Sequence, residues 1–367
     1  MTAEPNATPK TGGLKQKIKL VIFALLPAVV LFGCAETLAT MAVSRRARRE
    51  TDPVTGRITY VMKIGKFPWS RASVTPLNSH GVPDREFPGF EDKGSCRHVV
   101  LSGDSYLFGD GVDLDSNFTE VVRRRIAARP AGQCVRLFNL GERGTTLDKQ
   151  GAKLRELLPL LKPDIVILVQ YQNDLTDLTN AGAILDTLPD RGQGNSDSIR
   201  VQLTLLRPNL VRWLSYHTFA WLIEHNVHRD ELRHWSVLAD STHRDAAERM
   251  MATYRTLYGQ LVADLRGRGI AFGVMTIPSK FDVMAGRYPE DEFFTALARE
   301  HSVPQLRMFP VFDRQRSPYT FLMYDGHLNT TGNRLVADVL YGWLYDSVPA
   351  PFAALRGESP APVRPLP

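Results

Sequence analysis

Short apolar runs alternate with amphipathic stretches along the chain from residue 97 onward. The runs are continuous and partly β-branched, which is typical of strands that are covered on both faces. They are Val99–Ser102, Val135–Asn139, Ile165–Val169 and Ile270–Ile277, with a weaker candidate at Met308–Phe312. The pattern therefore predicts a buried, mostly parallel sheet.

Amphipathic helices are predicted between these strands. Asn117 and Glu120 carry the signature of an N-cap and a capping box at the start of one helix. Apolar positions three or four residues apart predict further helices around Leu154–Leu161, over Ala246–Arg268 and over Thr331–Tyr345. The alternation of strands and helices predicts an α/β fold with three layers, α/β/α, around a sheet of about five strands.

An apolar segment near the N-terminus follows a different pattern. The run Leu20–Gly33 is apolar, and weaker apolar character continues to Val43. Because a membrane span needs roughly 20 residues, we predict a signal anchor and transmembrane helix over residues 20–43, preceded by a cytoplasmic tail over residues 1–19. A cleaved signal sequence and lipidation of Cys34 are the alternatives.

Three further regions lie outside the alternating pattern. Residues 44–95 contain several Pro and Gly without sustained periodicity, so we predict a linker that becomes an ordered arm near Thr75. The main domain is predicted over residues 96–348, with an aromatic-rich insertion at about 183–245 that is either a lid over the sheet or a set of extra packing helices. Residues 349–367 are predicted to form a Pro-rich tail.

Composition and charge narrow the class of protein. The chain has 367 residues, of which 43% are hydrophobic and 23% are charged, which is ordinary globular composition. Part of the net charge of +6 flanks the apolar segment, which favours a membrane surface over nucleic acid. The sequence has no nucleic-acid-binding motif, so we expect no nucleic-acid partner.

Two groups of residues resemble metal ligands only superficially. Asp110, Asp113 and Asp115 do not complete a calcium-binding loop, and we predict a solvated turn there. The histidines between residues 217 and 243 lack the companion ligands of a closed site. We therefore expect neither a metal nor another cofactor.

Two cysteines occupy equivalent positions before two predicted strands. Cys96 lies seven residues before Gly103, and Cys134 lies seven residues before Gly141. Since consecutive strands of such sheets are usually neighbours, the two thiols could come within bridging distance. A disulfide would indicate an oxidising compartment and an extracytoplasmic domain, whereas the alternative is two unrelated buried thiols.

A strand that runs directly into Gly103-Asp104-Ser105 is the sharpest chemical signal in the sequence. Parallel sheets bind ligands outside the carboxyl ends of their strands, so Ser105 lies where a nucleophile is expected. A serine hydroxyl needs a base to remove its proton. His327, just before the last predicted helix, is the candidate base, and Asp325 is the candidate that orients its ring.

An acyl-transfer site also needs preplaced donors for the oxyanion. The glycine-containing stretch Asn139–Thr146 and the stretch Tyr171–Asp174 follow the next two predicted strands. A backbone N–H in the first stretch and the side-chain amide of Asn173 in the second could supply these donors.

These four stretches resemble the blocks of the SGNH/GDSL hydrolase family, and within it the bacterial members with one N-terminal anchor. The resemblance covers about residues 75–345 and includes the arm Leu77–Val82. It implies that Ser105 is the nucleophile and also a backbone oxyanion donor. It further implies that Gly144 and Asn173 complete the oxyanion hole and that His327 is the base.

The chain departs from the family pattern at two places. Tyr171 stands where the third block usually has glycine. The fourth block has Asp-x-His in place of Asp-x-x-His, which makes the role of Asp325 less direct than that of His327. Asp104 and Asp174 are expected to support their blocks.

The resemblance implies a serine ester hydrolase that acts through an acyl-serine intermediate. The expected substrates are short-chain or acetyl esters of an extracytoplasmic carbohydrate or of a small alcohol. The expected location is the bacterial inner membrane, with a single span and the main domain outside the cytoplasm. Alternatives are an O-acyltransferase, a lipase- or thioesterase-like enzyme, and a catalytically inactive binding protein on the same fold.

Overall fold

The computed structural model describes residues 14–43, 45–64, 72–87, 93–128, 134–176, 178, 238, 244–315, 318–322 and 326–345. The predicted insertion at 183–245 and the tail at 349–367 therefore lie almost entirely outside the described residues.

In the described ranges, eight strands form two separate sheets. They are β1 (Arg45–Thr51), β2 (Ile58–Ile64), β3 (Ala72–Pro76), β4 (Arg97–Gly103), β5 (Val135–Gly141), β6 (Ile165–Gln170), β7 (Ala271–Thr276) and β8 (Gln305–Arg307). Strands β1–β3 make an antiparallel sheet, and the other five make a parallel sheet in the order β5-β4-β6-β7-β8. When the five parallel strands are numbered 1 to 5 in chain order, this is the 2-1-3-4-5 order of flavodoxin-like folds.

The helices of the described part of the chain follow the strands in sequence. They are α1 (Leu14–Val43), α2 (Ser105–Phe108), α3 (Phe118–Ala127), α4 (Leu147–Leu161), α5 (Asn173–Thr176), α6 (Arg244–Gly267), α7 (Lys280–Ala285), α8 (Pro289–Glu300), α9 (Phe309–Gln315) and α10 (Thr330–Tyr345), with 3-10 turns at Leu114–Ser116 and Pro318–Thr320.

Alternate side chains of each central strand enter opposite cores. Val99 and Leu101 of β4 pack in one core with side chains of α3 and α10, whereas Val100 packs in the other with side chains of α4, α6 and α8. Strand β6 is buried along its whole length in the same way. The sheet is therefore covered on both faces, and the predicted three-layer α/β/α fold with five parallel strands is confirmed.

Two predicted elements differ from the structure. Met308–Phe312 is not a strand, because α9 begins at Phe309 and the edge strand is the shorter, more polar β8. Asn117 caps α3 by accepting a hydrogen bond from the Thr119 N–H at 2.8 Å. Glu120 forms ion pairs with Arg85 and Arg123 and does not complete the predicted capping box.

The segment predicted as a linker contains the antiparallel sheet β1–β3. Strand β1 has the sequence Arg-Arg-Ala-Arg-Arg-Glu-Thr, which shows no apolar alternation. It forms because every residue from Arg45 to Thr51 pairs with a residue of β2. The predicted arm begins just after this sheet, at Leu77.

The N-terminal apolar segment is helical. Helix α1 covers the residues for which we predicted a signal anchor, 20–43. Among the described residues, no helix combines the length and apolarity that crossing a bilayer requires. The predicted transmembrane helix is therefore not confirmed.

A disulfide joins Cys96 to Cys134, with their Cα atoms 4.4 Å apart. It lies where β4 and β5 begin, because Arg97 pairs with Val135 in the parallel register. The two strands that carry the candidate nucleophile and the first candidate oxyanion loop are thus covalently linked at the end opposite these loops.

Candidate active site

Ser105 is held at the carboxyl end of β4 by tight backbone packing. A Cβ on Gly103 would lie 3.0 Å from both Cβ and the carbonyl oxygen of Val169, so glycine lets β4 end close against β6. Asp104 then caps α2, accepting a hydrogen bond from the Tyr106 N–H at 3.0 Å. Ser105 is the first residue of α2, and its Oγ lies 3.4 Å from Oδ2 of Asp104.

The imidazole of His327 reaches Ser105 from a loop 222 residues later in the chain. Its Nε2 lies 2.8 Å from Oγ of Ser105, which is hydrogen-bonding distance for a general base. The His327 loop is tied down by a hydrogen bond from the Leu322 N–H to the His327 carbonyl at 2.8 Å. Nε2 can accept the serine proton when Nδ1 carries the other ring proton.

Asp325, the predicted orienting acid, lies outside the described residues. A different carboxylate, that of Asp110, is buried with Oδ2 4.0 Å from Nε2 of His327. This is the ring nitrogen that faces Ser105, so Asp110 does not occupy the position of the acid that accepts the Nδ1 proton. Asp110 is paired with Nε of Arg143 at 2.7 Å. The prediction of a solvated turn is wrong for this residue.

Gly144 lies in the loop between β5 and α4 with φ +64, and a Cβ at this position would meet no described atom within 4 Å. Within the described part of the chain, the N–H groups of Ser105 and Gly144 donate no hydrogen bond. An open left-handed glycine next to the nucleophile loop suits a backbone donor to a substrate oxygen.

The third block begins the helix that follows β6. Asn173 is the first residue of α5 and is half-buried. Asp174 is buried and accepts hydrogen bonds from the Tyr171 N–H and from Nε2 of Gln150, both at 2.8 Å. Asp174 therefore shapes the loop that presents Asn173.

Gln150 connects the two candidate oxyanion blocks and was not found from the sequence. Its buried Nε2 donates to Oδ1 of Asp174 at 2.8 Å and to the Thr145 carbonyl at 3.2 Å. It thus joins the loop of Gly144 to the loop of Asn173. Gln150 lies in α4, outside every motif, so only its position on the buried face of that helix could have suggested a role.

Tyr171, the departure from the family pattern, is buried against Tyr106. The two rings stack with their centroids 3.8 Å apart. Burial raises the pKa of the Tyr171 hydroxyl above its ordinary value, so this side chain stays neutral. Tyr171 therefore packs beneath the nucleophile helix and adds no charge to the site.

The described residues bring the predicted nucleophile and base together at the carboxyl edge of the sheet, between β4 and β6. This is the topological switch point, since the chain leaves β4 for β5 on one side and enters β6 on the other. Strand order, nucleophile loop and histidine loop together give an SGNH/GDSL hydrolase-like fold, with Ser105 and His327 side by side at the carboxyl edge of the sheet.

Comparison with known proteins gave matches to solved structures alone. No protein-family model and no curated protein matches the chain. The psychrotrophic esterase EstA from Pseudoalteromonas sp. is 12% identical, with a TM-score of 0.41 over 68% of this chain and 98% of that chain. The acetyl xylan esterase AlAXEase is 13% identical, with a TM-score of 0.39 over 67% of this chain and 98% of that chain.

The lipase/acylhydrolase from Enterococcus faecalis is 16% identical, with a TM-score of 0.36 over 69% of this chain and 97% of that chain.

Proposed function

We propose that this protein is a serine ester hydrolase that works through an acyl-Ser105 intermediate. The observation that carries the proposal is the 2.8 Å contact between Nε2 of His327 and Oγ of Ser105 at the end of a buried parallel strand. A proton acceptor at that distance is what turns a serine hydroxyl into a nucleophile.

The reaction follows from the positions of these groups. Ser105 attacks the ester carbonyl carbon while its proton passes to Nε2 of His327. The N–H groups of Ser105 and Gly144, together with the Asn173 amide, stabilise the oxyanion. His327 then protonates the leaving alcohol as the carbon–oxygen bond breaks, and it activates the water that releases the acid from Ser105.

Replacement of the nucleophile tests the proposal. Ser105→Ala should abolish hydrolysis of a short-chain aryl ester while the protein stays folded, because the acyl acceptor is gone. Ser116→Ala, in the 3-10 turn that precedes α3, is the matched serine control and should keep wild-type activity. Mass spectrometry after exposure to a fluorophosphonate should place the adduct on Ser105. Undiminished hydrolysis by the Ser105→Ala variant would refute the assignment.

The expected substrates are acetyl or short-chain esters of a carbohydrate or a small alcohol. A panel of aryl esters with increasing acyl length, followed by acetylated sugars, measures the acyl and alcohol preferences by kcat/KM. Faster transfer to a glycan than to water would instead identify an O-acyltransferase.

We also propose that the protein is attached to the membrane through α1, with the sheet outside the cytoplasm. The apolar side chains of this helix support the proposal, because many are exposed, and an exposed apolar surface of this extent usually has a partner or a lipid environment. They include Val21, Phe23, Leu25, Leu26, Val29, Val30, Leu31, Phe32 and Leu38. The Cys96–Cys134 disulfide supports an oxidising compartment.

Fractionation of cells tests the membrane attachment, and thiol labelling tests the oxidising compartment. The full chain should remain in the membrane pellet after alkaline carbonate washing, and a variant that lacks residues 2–43 should not. Thiol labelling of the full chain, without and with prior reduction, should reveal Cys96 and Cys134 only after reduction. Recovery of the full chain in the carbonate supernatant would contradict membrane attachment.

A further inference from the structure

Tyr106 links the nucleophile helix to the histidine loop. It follows Ser105 directly in α2, and its ring centroid lies 5.0 Å from that of His327. Its hydroxyl donates a hydrogen bond to the carbonyl oxygen of Gly326, the residue immediately before His327. One side chain therefore joins the backbones on which nucleophile and base are carried.

The Tyr106 ring has its own support in Tyr171. The rings stack at 3.8 Å with an angle of 27° between their planes. Burial raises the pKa of the Tyr171 hydroxyl, and the neighbouring side chains of Tyr106 and Ser279 partly oppose that rise. A Cβ on Gly326 would lie 3.6 Å from both tyrosine hydroxyls, so the two hydroxyls converge on the residue that precedes the base.

Other contacts hold the far side of the same loop. Lys280 donates from Nζ to the Leu322 carbonyl at 2.9 Å, and Leu328 forms a β-bridge with Phe321. These contacts fix the start of the loop and the residue after His327. The Tyr106 hydroxyl holds the backbone just before the imidazole.

We infer that Tyr106 is a positioning residue, which sets the approach of His327 to Ser105 through the carbonyl of residue 326, and that Tyr171 holds the Tyr106 ring in place. This inference rests on the proposed esterase function. Tyr171, which stands where the SGNH/GDSL family usually has glycine, would then support the position of Tyr106.

The physical basis is the steep dependence of proton transfer on geometry. The Ser105 proton moves along a contact of 2.8 Å, and a displacement of the imidazole by about 1 Å can cost roughly 100-fold in rate. Loss of the Tyr106 hydroxyl leaves the ring stack in place and releases the loop backbone from the nucleophile helix. The change should therefore affect the chemical step more than substrate binding.

The test is Tyr106→Phe in the full-length protein. We expect kcat for a short-chain aryl ester to fall about 10- to 100-fold, with KM within about twofold of wild type. Rates are normalised to the number of Ser105 sites that a fluorophosphonate labels at completion, so a misfolded fraction does not count as slow enzyme. The rate of phosphonylation should fall in parallel, because that reaction also needs His327 as base.

Two matched variants separate positioning from a general effect of removing a tyrosine hydroxyl. Tyr171→Phe keeps the ring stack and the bond to Gly326, so its loss of kcat should be smaller. Tyr258→Phe removes a buried hydroxyl that has no hydrogen-bond partner among the described residues, and it should leave kcat unchanged.

Retention of wild-type kcat and phosphonylation rate by Tyr106→Phe would overturn the inference, and so would a rise in KM with kcat unchanged. An inactive wild-type protein whose Ser105 still reacts with the fluorophosphonate would refute the esterase proposal. The phosphonylation rates would then decide the role of Tyr106.

Discussion

At the residue scale, the site depends on glycines at positions where any side chain would clash with the backbone. A Cβ on Gly141 would lie 2.3 Å from the backbone nitrogen of Phe108 and 2.8 Å from its Cα. Phe108 ends α2, the helix that begins with Ser105. Because backbone atoms cannot swing aside as a flexible side chain can, glycine at the end of β5 is what lets the nucleophile helix lie against the sheet.

Gly141→Ala should therefore displace α2. The displacement should lower the ester-hydrolysis activity strongly and the free energy of unfolding only moderately. We expect a loss of about 1–3 kcal/mol in the free energy of unfolding, as for other overpacked positions, and a much larger proportional fall in kcat/KM. Urea denaturation and ester hydrolysis measure the two effects. Gly267→Ala, at the end of α6 with no described atom within 4 Å of its Cβ position, is the matched control. Equal activity of both variants would contradict the packing argument.

At the element scale, one buried carboxylate joins the arm to two elements of the main domain. Asp84 follows the predicted arm Leu77–Val82 and accepts a hydrogen bond from Arg123 of α3 at 2.6 Å. Its other oxygen accepts from the Asn139 N–H of β5 at 2.8 Å. The arm is thus anchored beside the strand that leads to the Gly144 loop.

Asp84→Ala should lower the free energy of unfolding by about 3 kcal/mol, because it removes one of the two carboxylate partners of a half-buried guanidinium and the acceptor of a buried N–H. The nearby pair Arg57–Glu86 provides the control, since both of its side chains are largely exposed, at 55% and 40%. Glu86→Ala should cost less than about 1 kcal/mol. Comparable losses for the two variants in urea denaturation would argue against the anchoring role of Asp84.

At the scale of the whole molecule, four buried tyrosines couple the fold to alkaline pH. Burial raises the pKa of the hydroxyls of Tyr171, Tyr254, Tyr258 and Tyr288 above the ordinary value of 10.0. A raised folded-state pKa contributes stability that is fully present below the unfolded pKa. It is lost as pH rises toward the folded pKa, because the unfolded state then releases the proton more readily.

The free energy of unfolding should therefore be insensitive to these groups below pH 10 and fall above it. Each buried tyrosine should contribute about 1.4 kcal/mol per pH unit. Circular dichroism and tyrosinate absorbance, followed together, should show some of the chain's 11 tyrosines ionising only as the protein unfolds. Tyr258→Phe should reduce the pH dependence of the free energy of unfolding above pH 10 by the contribution of one tyrosine, about 1.4 kcal/mol per pH unit. Ionisation of all tyrosines near pH 10 in the folded protein would contradict this account.

Sequence reasoning succeeded where the signal is local. The central strands were predicted because their apolar runs are continuous. Ser105 and His327 were chosen as candidates because each lies in a short motif beside a predicted element, and the structure brings their side chains to 2.8 Å. It failed for β1, a charged strand that exists only through its pairing with β2. It also failed at the edge of the sheet, where the three-residue β8 is too short and polar to show a pattern.

The sequence by itself determined the fold class, the order of the central strands and the candidate reacting pair, because periodicity and motifs act over a few residues. Only the tertiary structure decided that Asp110 lies near Nε2 of His327, that Gln150 joins the two candidate oxyanion loops, and that Tyr106 holds the backbone of residue 326. Each of these contacts joins segments whose approach is set by the sheet register and by helix packing, which no local pattern encodes.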